Sequence, residues 1–143
     1  MKILALDLGE RKIGVAISDP GEELARGIGT IQCNGKETEK IIEIVQLHKA
    51  EKIVYGVPIR NDGSLSPKGA KLLHLIDKLR LLMPEMEFIP WDERFTTVEA
   101  EKILLSANLS RAKRKRLRDK LAAQIILQSY LDSKRPIVPD DFL

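Results

Sequence analysis

The stretch KILALDLGERKIGVAIS, residues 2–18, decides the fold. Lys2 to Leu8 is nearly continuous apolar sequence, Gly9-Glu10-Arg11-Lys12 interrupts it, and IGVAIS resumes it, which predicts two strands joined by a tight hairpin. The two-residue period of a strand puts Ile3, Ala5 and Asp7 on one face. Asp7 thus sits among Ile3, Leu4, Leu6 and Leu8, where a carboxylate must be paired, hydrogen-bonded or bound to a cation to offset its desolvation. A plainer role is also open to it, because aspartate before glycine at a strand end often does no more than bond the adjacent turn.

Outward from the hairpin, Asp19-Pro20-Gly21 is a turn signal and IGTIQC, residues 28–33, reads as a third strand. The period then changes. In KETEKIIEIVQLHK, Ile41, Ile44, Val45 and His48 recur at helical spacing between charges. KIVYGVP reads as a buried strand. Ser66-Pro67 opens a helix through Leu72, Leu73, Ile76 and Leu79 that stops near Pro84, and EFIPW is a short strand after it. Thr96 and Glu99 have capping-box spacing for a helix over about 97–106, and a break at Asn108-Leu109-Ser110 precedes a last helix to about Ser133. The order βββαβαβαα predicts one α/β domain over residues 1–143: a mixed five-stranded sheet with helices on both faces.

The net charge of +3 conceals an asymmetry. In RAKRKRLRDK, residues 111–120, Arg111, Lys113, Arg114, Lys115, Arg116, Arg118 and Lys120 stand against Asp119 alone, a local +6 that leaves −3 for the remainder. Such concentration suits a nucleic-acid backbone, whose affinity for cations comes from counterion release, although a solvated helix face would look the same. Cys33 is the only cysteine, so neither an intrachain disulfide nor a multi-cysteine metal site can form. No stretch resembles a signal peptide or membrane span, and a soluble cytoplasmic protein that does not engage membranes is expected.

Two more acids are placed like Asp7. Glu93 follows the strand EFIPW at its carboxyl end, where ligands collect in open α/β sheets; its neighbour Asp92 is the alternate, with Arg94 beside both. Asp119 is in phase with Ala122, Ala123, Ile126 and Tyr130, the buried stripe of the last helix, and the small Ala122-Ala123 pair would let that helix approach Asp7. An ion pair with Lys115 or Arg116 is its simpler role. Three carboxylates suit Mg²⁺ or Mn²⁺, with two ions expected, one activating water and one stabilising the leaving oxygen of a phosphodiester to give a 5′-phosphate and a 3′-hydroxyl. Arg11, Lys12 and Arg94 could contact phosphate beside them. His48 and His74 read as surface or boundary residues, Trp91, Phe88 and Phe95 as packing residues; aromatics at 4% argue against base stacking.

Taken together, LALDLGERKIGVAISDP, YGVPIRNDGS, WDERFTT and DKLAAQIILQSYLD resemble the bacterial YqgF (RuvX) family, in that order and spacing over nearly the whole chain. The resemblance implies a ribonuclease H-like fold related to the resolvase RuvC, and a nuclease maturing the 5′ end of pre-16S ribosomal RNA or, alternatively, resolving Holliday junctions. The family's acidic positions fall on Asp7, Glu93 and Asp119. Arg60, Asn61, Asp62, Gly63 and Ser64 of the second block would line the active edge or hold phosphate, unless they only make a turn. Lys12 and Phe95 depart from the family's arginine and leucine but keep charge and apolar character.

Three classes remain open: a nuclease on structured RNA, a resolvase of branched DNA, which needs a two-fold dimer where RNA trimming needs only a monomer, and a non-catalytic RNA-binding assembly factor. An ATPase of the actin and sugar-kinase type would need two such lobes, and the chain has room for one.

Overall fold

Strand β1 (Lys2–Leu8) lies at the centre of a five-stranded sheet. The computed structural model describes residues 1–9, 11–57, 62–65, 67–92 and 110–134, and only the backbone of Lys68, Asp92 and residues 115–120. β2 (Lys12–Ser18) pairs antiparallel with β1, and β3 (Ala25–Gln32) with β2. β4 (Ala50–Val57) returns parallel to β1, and β5 (Glu87–Asp92) parallel to β4, in the order β3-β2-β1-β4-β5. Helix α1 (Glu37–His48) makes the crossover to β4, α2 (Pro67–Leu82) precedes β5, and α3 (Arg111–Ser133) follows. The helix expected over 97–106 and the Ser66 cap lie outside the described residues.

The hairpin turns where expected. Gly9 N–H donates to Lys12 O at 3.1 Å, and a Cβ at Gly9 would stand 2.5 Å from that same oxygen, so only glycine fits. Asp19 organises the next turn by accepting from the N–H groups of Glu23 and Leu24 at 2.7 and 2.9 Å; the Leu24 bond, then the Glu23 bond, hold its carboxyl below the usual range.

Alternation along the central strands divides the core between two faces. Leu4, Leu6 and Leu8 pack with Ile41 and Val45 of α1 and Ile76 and Leu79 of α2. Ile3 and Ala5 pack on the other face with Ala123, Ile126, Leu127, Tyr130 and Leu131 of α3. Full burial of Ile126, Leu127 and Leu131 contributes about 1.5–3 kcal/mol each, enough to hold α3 on the sheet. Among the described residues no helix is long and apolar enough to cross a membrane.

β3 starts at Ala25, three residues earlier than the apolar pattern from Ile28 suggests. Ala25-Arg26-Gly27 has little apolar signal because it is an edge segment. Its N–H groups are satisfied by side chains of α3: Gln128 Oε1 accepts from Ala25 N–H at 2.9 Å, and Gln124 Oε1 from Gly27 N–H at 3.1 Å. The register shifts between Val15 and Ala16, which pair with Gly29 and Gly27, leaving Ile28 as the extra residue of a bulge.

Ser18 is the buried polar residue of the described core, and its Oγ accepts from Ile3 N–H at 2.8 Å. Ser18→Ala leaves that N–H buried without a partner and should lower stability by about 1–3 kcal/mol in urea unfolding; an unchanged midpoint would show that the bond adds nothing.

Candidate active site

β1, β4 and β5 run parallel, so their carboxyl ends share one edge of the sheet, the edge at which open α/β folds bind ligands. Asp7 lies there, paired in register with Gly14 of β2 and Gly56 of β4; Gly56 in turn pairs with Trp91 of β5. It belongs to the series Ile3, Ala5, Asp7 on the α3 face and is half-buried. Among the described residues no hydrogen bond or ion pair engages its carboxylate. None of the described hairpin residues bonds it, and a hard, partly desolvated oxygen donor of this kind fits a divalent cation.

The height of α3 over the sheet follows from its glutamines. Gln128 meets Ala25, which pairs with Ser18; Gln124, one helical turn earlier, meets Gly27, which pairs with Ala16 and through it with Ala5. Four residues of helix rise about 6 Å and two strand residues about 6.7 Å, so between Gln128 and Gln124 α3 climbs one same-face row of the sheet. Asp119 stands seven residues before Ile126 and eleven before Tyr130, spacings that repeat one angular position on a helix. Ile126 packs with Ile3 and Ala5, and the Tyr130 ring meets Trp91 edge-on, with centroids 5.6 Å apart at 87°. Asp119 shares that angular position by its spacing in the sequence, and its side chain lies outside the described residues.

Asp92 ends β5 opposite Val57, one residue beyond the Gly56–Trp91 pair. Glu93, Arg94, Arg60 and Asn61 lie outside the described residues. Among those that are described, no three His, Cys, Asp or Glu side chains come together around a metal position; Glu93 and the Asp119 carboxylate are not in that set.

Of the cations singled out, those among the described residues fall on the hairpin and on the start of α3. Arg11 and Lys12 are exposed in the hairpin; Arg111 and Lys113 are exposed in the first turn of α3, which Ser110 caps by accepting from Lys113 N–H at 3.3 Å. Arg114 is half-buried, and its Nε has no hydrogen-bond partner among the described residues. Lys115, Arg116 and Arg118 continue the helix. Asp62 to Ser64 form a local turn in which Asp62 Oδ1 accepts from Ser64 N–H at 2.9 Å and Oγ at 2.6 Å. Those bonds, the hydroxyl first, hold the Asp62 carboxyl low, and they satisfy the turn role without calling on a ligand. Tyr55 and Tyr130 are buried, and Phe88 lies under the Arg80 guanidinium at 5.7 Å, so these rings pack rather than await bases. His74 is exposed and His48 lies at the boundary, both clear of this edge.

Neither glutamine of α3 was singled out by sequence reasoning, though their four-residue spacing beside an apolar stripe is a signal for a pair gripping a neighbouring strand. Gly14 and Gly56 were missed too; their signal is glycine inside an otherwise apolar strand.

A mixed sheet of this order, with paired helices on one face and an acid-bearing helix on the other, defines a ribonuclease H-like fold. Thermus thermophilus RuvC in complex with Holliday junction substrate superposes with a TM-score of 0.58 at 15% identity, over 96% of this chain and 100% of that one. The fowlpox virus Holliday junction resolvase gives 0.58 at 13%, over 93% and 99%. The chain belongs to the RuvX family, described as "Holliday junction resolvase", whose model matches residues 1–133. A relative from Caldanaerobacter subterraneus subsp. tengcongensis is 45% identical over 138 residues, 94% of this chain and 99% of its own, and one from Clostridium tetani 47% over 135 residues, 93% and 97%. Both carry the name "Putative pre-16S rRNA nuclease".

Because no described residue engages the Asp7 carboxylate, Asp7→Asn in the presence of chelator should leave the unfolding midpoint unchanged or slightly raised, within about 0.5 kcal/mol. A loss of more than about 1 kcal/mol would mark the carboxylate as a structural hydrogen-bond acceptor.

Proposed function

We propose that the chain is a cytoplasmic, divalent-metal-dependent nuclease that hydrolyses phosphodiester bonds at the 5′ end of pre-16S ribosomal RNA. The observation that carries this reading is the Asp7 carboxylate, half-buried at the carboxyl edge of the sheet and engaged by no described residue, with the basic run beginning at Arg111 on α3. The names of the relatives favour RNA as substrate.

Asp7, Glu93 and Asp119 would hold Mg²⁺ or Mn²⁺. Glu93 is preferred to Asp92 because it is in step with Ile89 and Trp91, the β5 residues that pack on the α3 face. The cation, when bound, supplies Lewis acidity toward a phosphate oxygen and lowers the pKa of coordinated water. The chain's own part is placement. The central strand holds Asp7 in place; Asp119 would join it from α3, and Arg11, Lys12, Arg60, Asn61 and Arg94 would serve as phosphate contacts. Arg111, Lys113, Arg114, Lys115, Arg116 and Arg118 would track the backbone of structured RNA. With aromatic rings engaged in packing, recognition rests on backbone charge and shape.

The resolvase reading has one observation in its favour, the likeness to RuvC, and that likeness is of fold alone. It requires a two-fold dimer to place two symmetric cuts.

Wild type and Asp7→Asn, each with Mg²⁺ or Mn²⁺ and then chelator, should be offered a pre-16S ribosomal RNA fragment and a synthetic four-way DNA junction. The expected result is metal-dependent RNA cutting that Asp7→Asn abolishes. Symmetric junction cutting with RNA intact would establish the resolvase instead, and binding without cutting an assembly factor. Replacing exposed Arg111 and Lys113 together by alanine should flatten the slope of log affinity for RNA against log salt by about 1.5; an unchanged slope would place these cations off the RNA path.

A further inference from the structure

The edge of the sheet opposite Asp7 carries a feature that phosphodiester chemistry does not use. Ala50 pairs there with Lys2 at the amino end of β1, about 17 Å of strand from Asp7. On the face covered by α1 and α2, an open groove of about 680 Å³ lies at the carboxyl ends of those two helices. Ile42 lines it from α1, Leu82 from α2, and Met83 and Met86 from the turn between α2 and β5. Leu82 is 59% exposed, so the apolar lining opens to solvent at that point. An exposed leucine alone is ordinary. The methionines are less so: of the three in the chain, both that follow Met1 stand here. Their unbranched thioethers repack around apolar side chains of differing shape, which suits a surface that grips a peptide.

Electrostatics select the sign of the guest. Glu51 and Glu85 are the charged residues of the described lining, and both are exposed. Among the described residues neither forms an ion pair, while the neighbouring Lys40 and Lys52 are engaged by Glu43 and Glu87 at 4.0 and 3.6 Å. Each helix that ends here adds the partial negative charge of its last unpaired carbonyls. Lys49, the C-cap of α1, offsets part of this, but its side chain is exposed and is not among the lining. An RNA strand is repelled by such an edge, and an isologous second copy would bring the same acids toward one another. A protein segment that sets lysine or arginine beside apolar side chains is attracted to it, and basic arms are common on proteins that bind nucleic acid.

We propose that this groove docks a cationic amphipathic segment of a partner protein, its apolar side chains seated on Leu82, Met83 and Met86 and its lysines or arginines facing Glu51, Glu85 and the two helix ends. The inference goes beyond the nuclease reading and does not depend on it. Because the groove lies at the amino edge of the parallel strands, docking leaves the carboxyl edge open. A partner already bound to RNA would thus hold this chain on the same molecule and raise the local concentration of its site.

The full chain, isotopically labelled at its methionine methyl groups and followed by NMR, is titrated with a synthetic peptide about three helical turns long, with leucine at i, i+3, i+7 spacing and lysine elsewhere. The Met83 and Met86 signals should move, and that of Met1 much less. The same peptide with glutamate for lysine should bind at least about tenfold more weakly, as should one with serine for leucine. Glu51→Lys combined with Glu85→Lys, at exposed positions the fold tolerates, should invert the preference between the lysine and glutamate peptides, and Leu82→Ser should weaken both. Equal binding of the lysine and glutamate peptides to wild type would overturn the proposal, as would Met83 and Met86 signals that stay in place. It fails as well if those signals move with a pre-16S ribosomal RNA fragment alone, which would put the groove on the RNA path, or with protein concentration alone, which would make it an interface between copies. None of these readouts requires that the chain cut RNA.

Discussion

The burial of one face of α3 against β1 and β2, locked by two glutamines at the edge of β3, is the constraint on which the site depends. Apolar contact alone is non-directional and would tolerate a slide along the sheet. The amides of Gln124 and Gln128 do not, because each meets a particular backbone N–H of β3, and Gln128 Nε2 also donates to Glu23 O at 2.9 Å. A slip of one turn would leave these donors unpaired and separate Tyr130 from Trp91. Hydrogen bonds worth little individually thereby fix the height of the helix over the sheet.

The two faces of the sheet divide the labour. Leucines of β1 alternate toward α1 and α2 and close an ordinary apolar core. The opposite face is built from smaller residues, Ala5, Ala16 and Ala123 among them, and ends in a carboxylate flanked by glycine. An acid at the carboxyl end of a buried central strand costs stability that the other face supplies. Basic residues gather at the start of α3, on the same short stretch of chain as Asp119.

Most of the architecture could be read from the chain because local patterns specified it. Alternation around Asp7, the Gly9 turn, helical spacing through Ile41 and Val45, and proline at position 67 each appear in the structure as expected. Asp7 and Asp119 stood out as candidates for a related reason: each carboxylate is in phase with apolar residues, Asp7 along a strand and Asp119 along a helix. What could not be read was register. The early start of β3 depends on glutamines about a hundred residues away, the bulge at Ile28 on a mismatch between two strands, and the alignment of Gly56 beside Asp7 on a parallel crossover. These are tertiary facts that one strand's pattern does not contain.

The central claim is that α3 delivers Asp119 to the Asp7 row so that both serve one cation. Its most direct test is to load the purified protein with Fe²⁺, start hydroxyl-radical chemistry with ascorbate and peroxide, and map where the polypeptide is cut. Cuts confined to the neighbourhoods of residues 7 and 119, with any third near 93, and suppressed by excess Mg²⁺, are the predicted result. Cuts near residue 7 without any near 119, or a pattern indifferent to Mg²⁺, would contradict it.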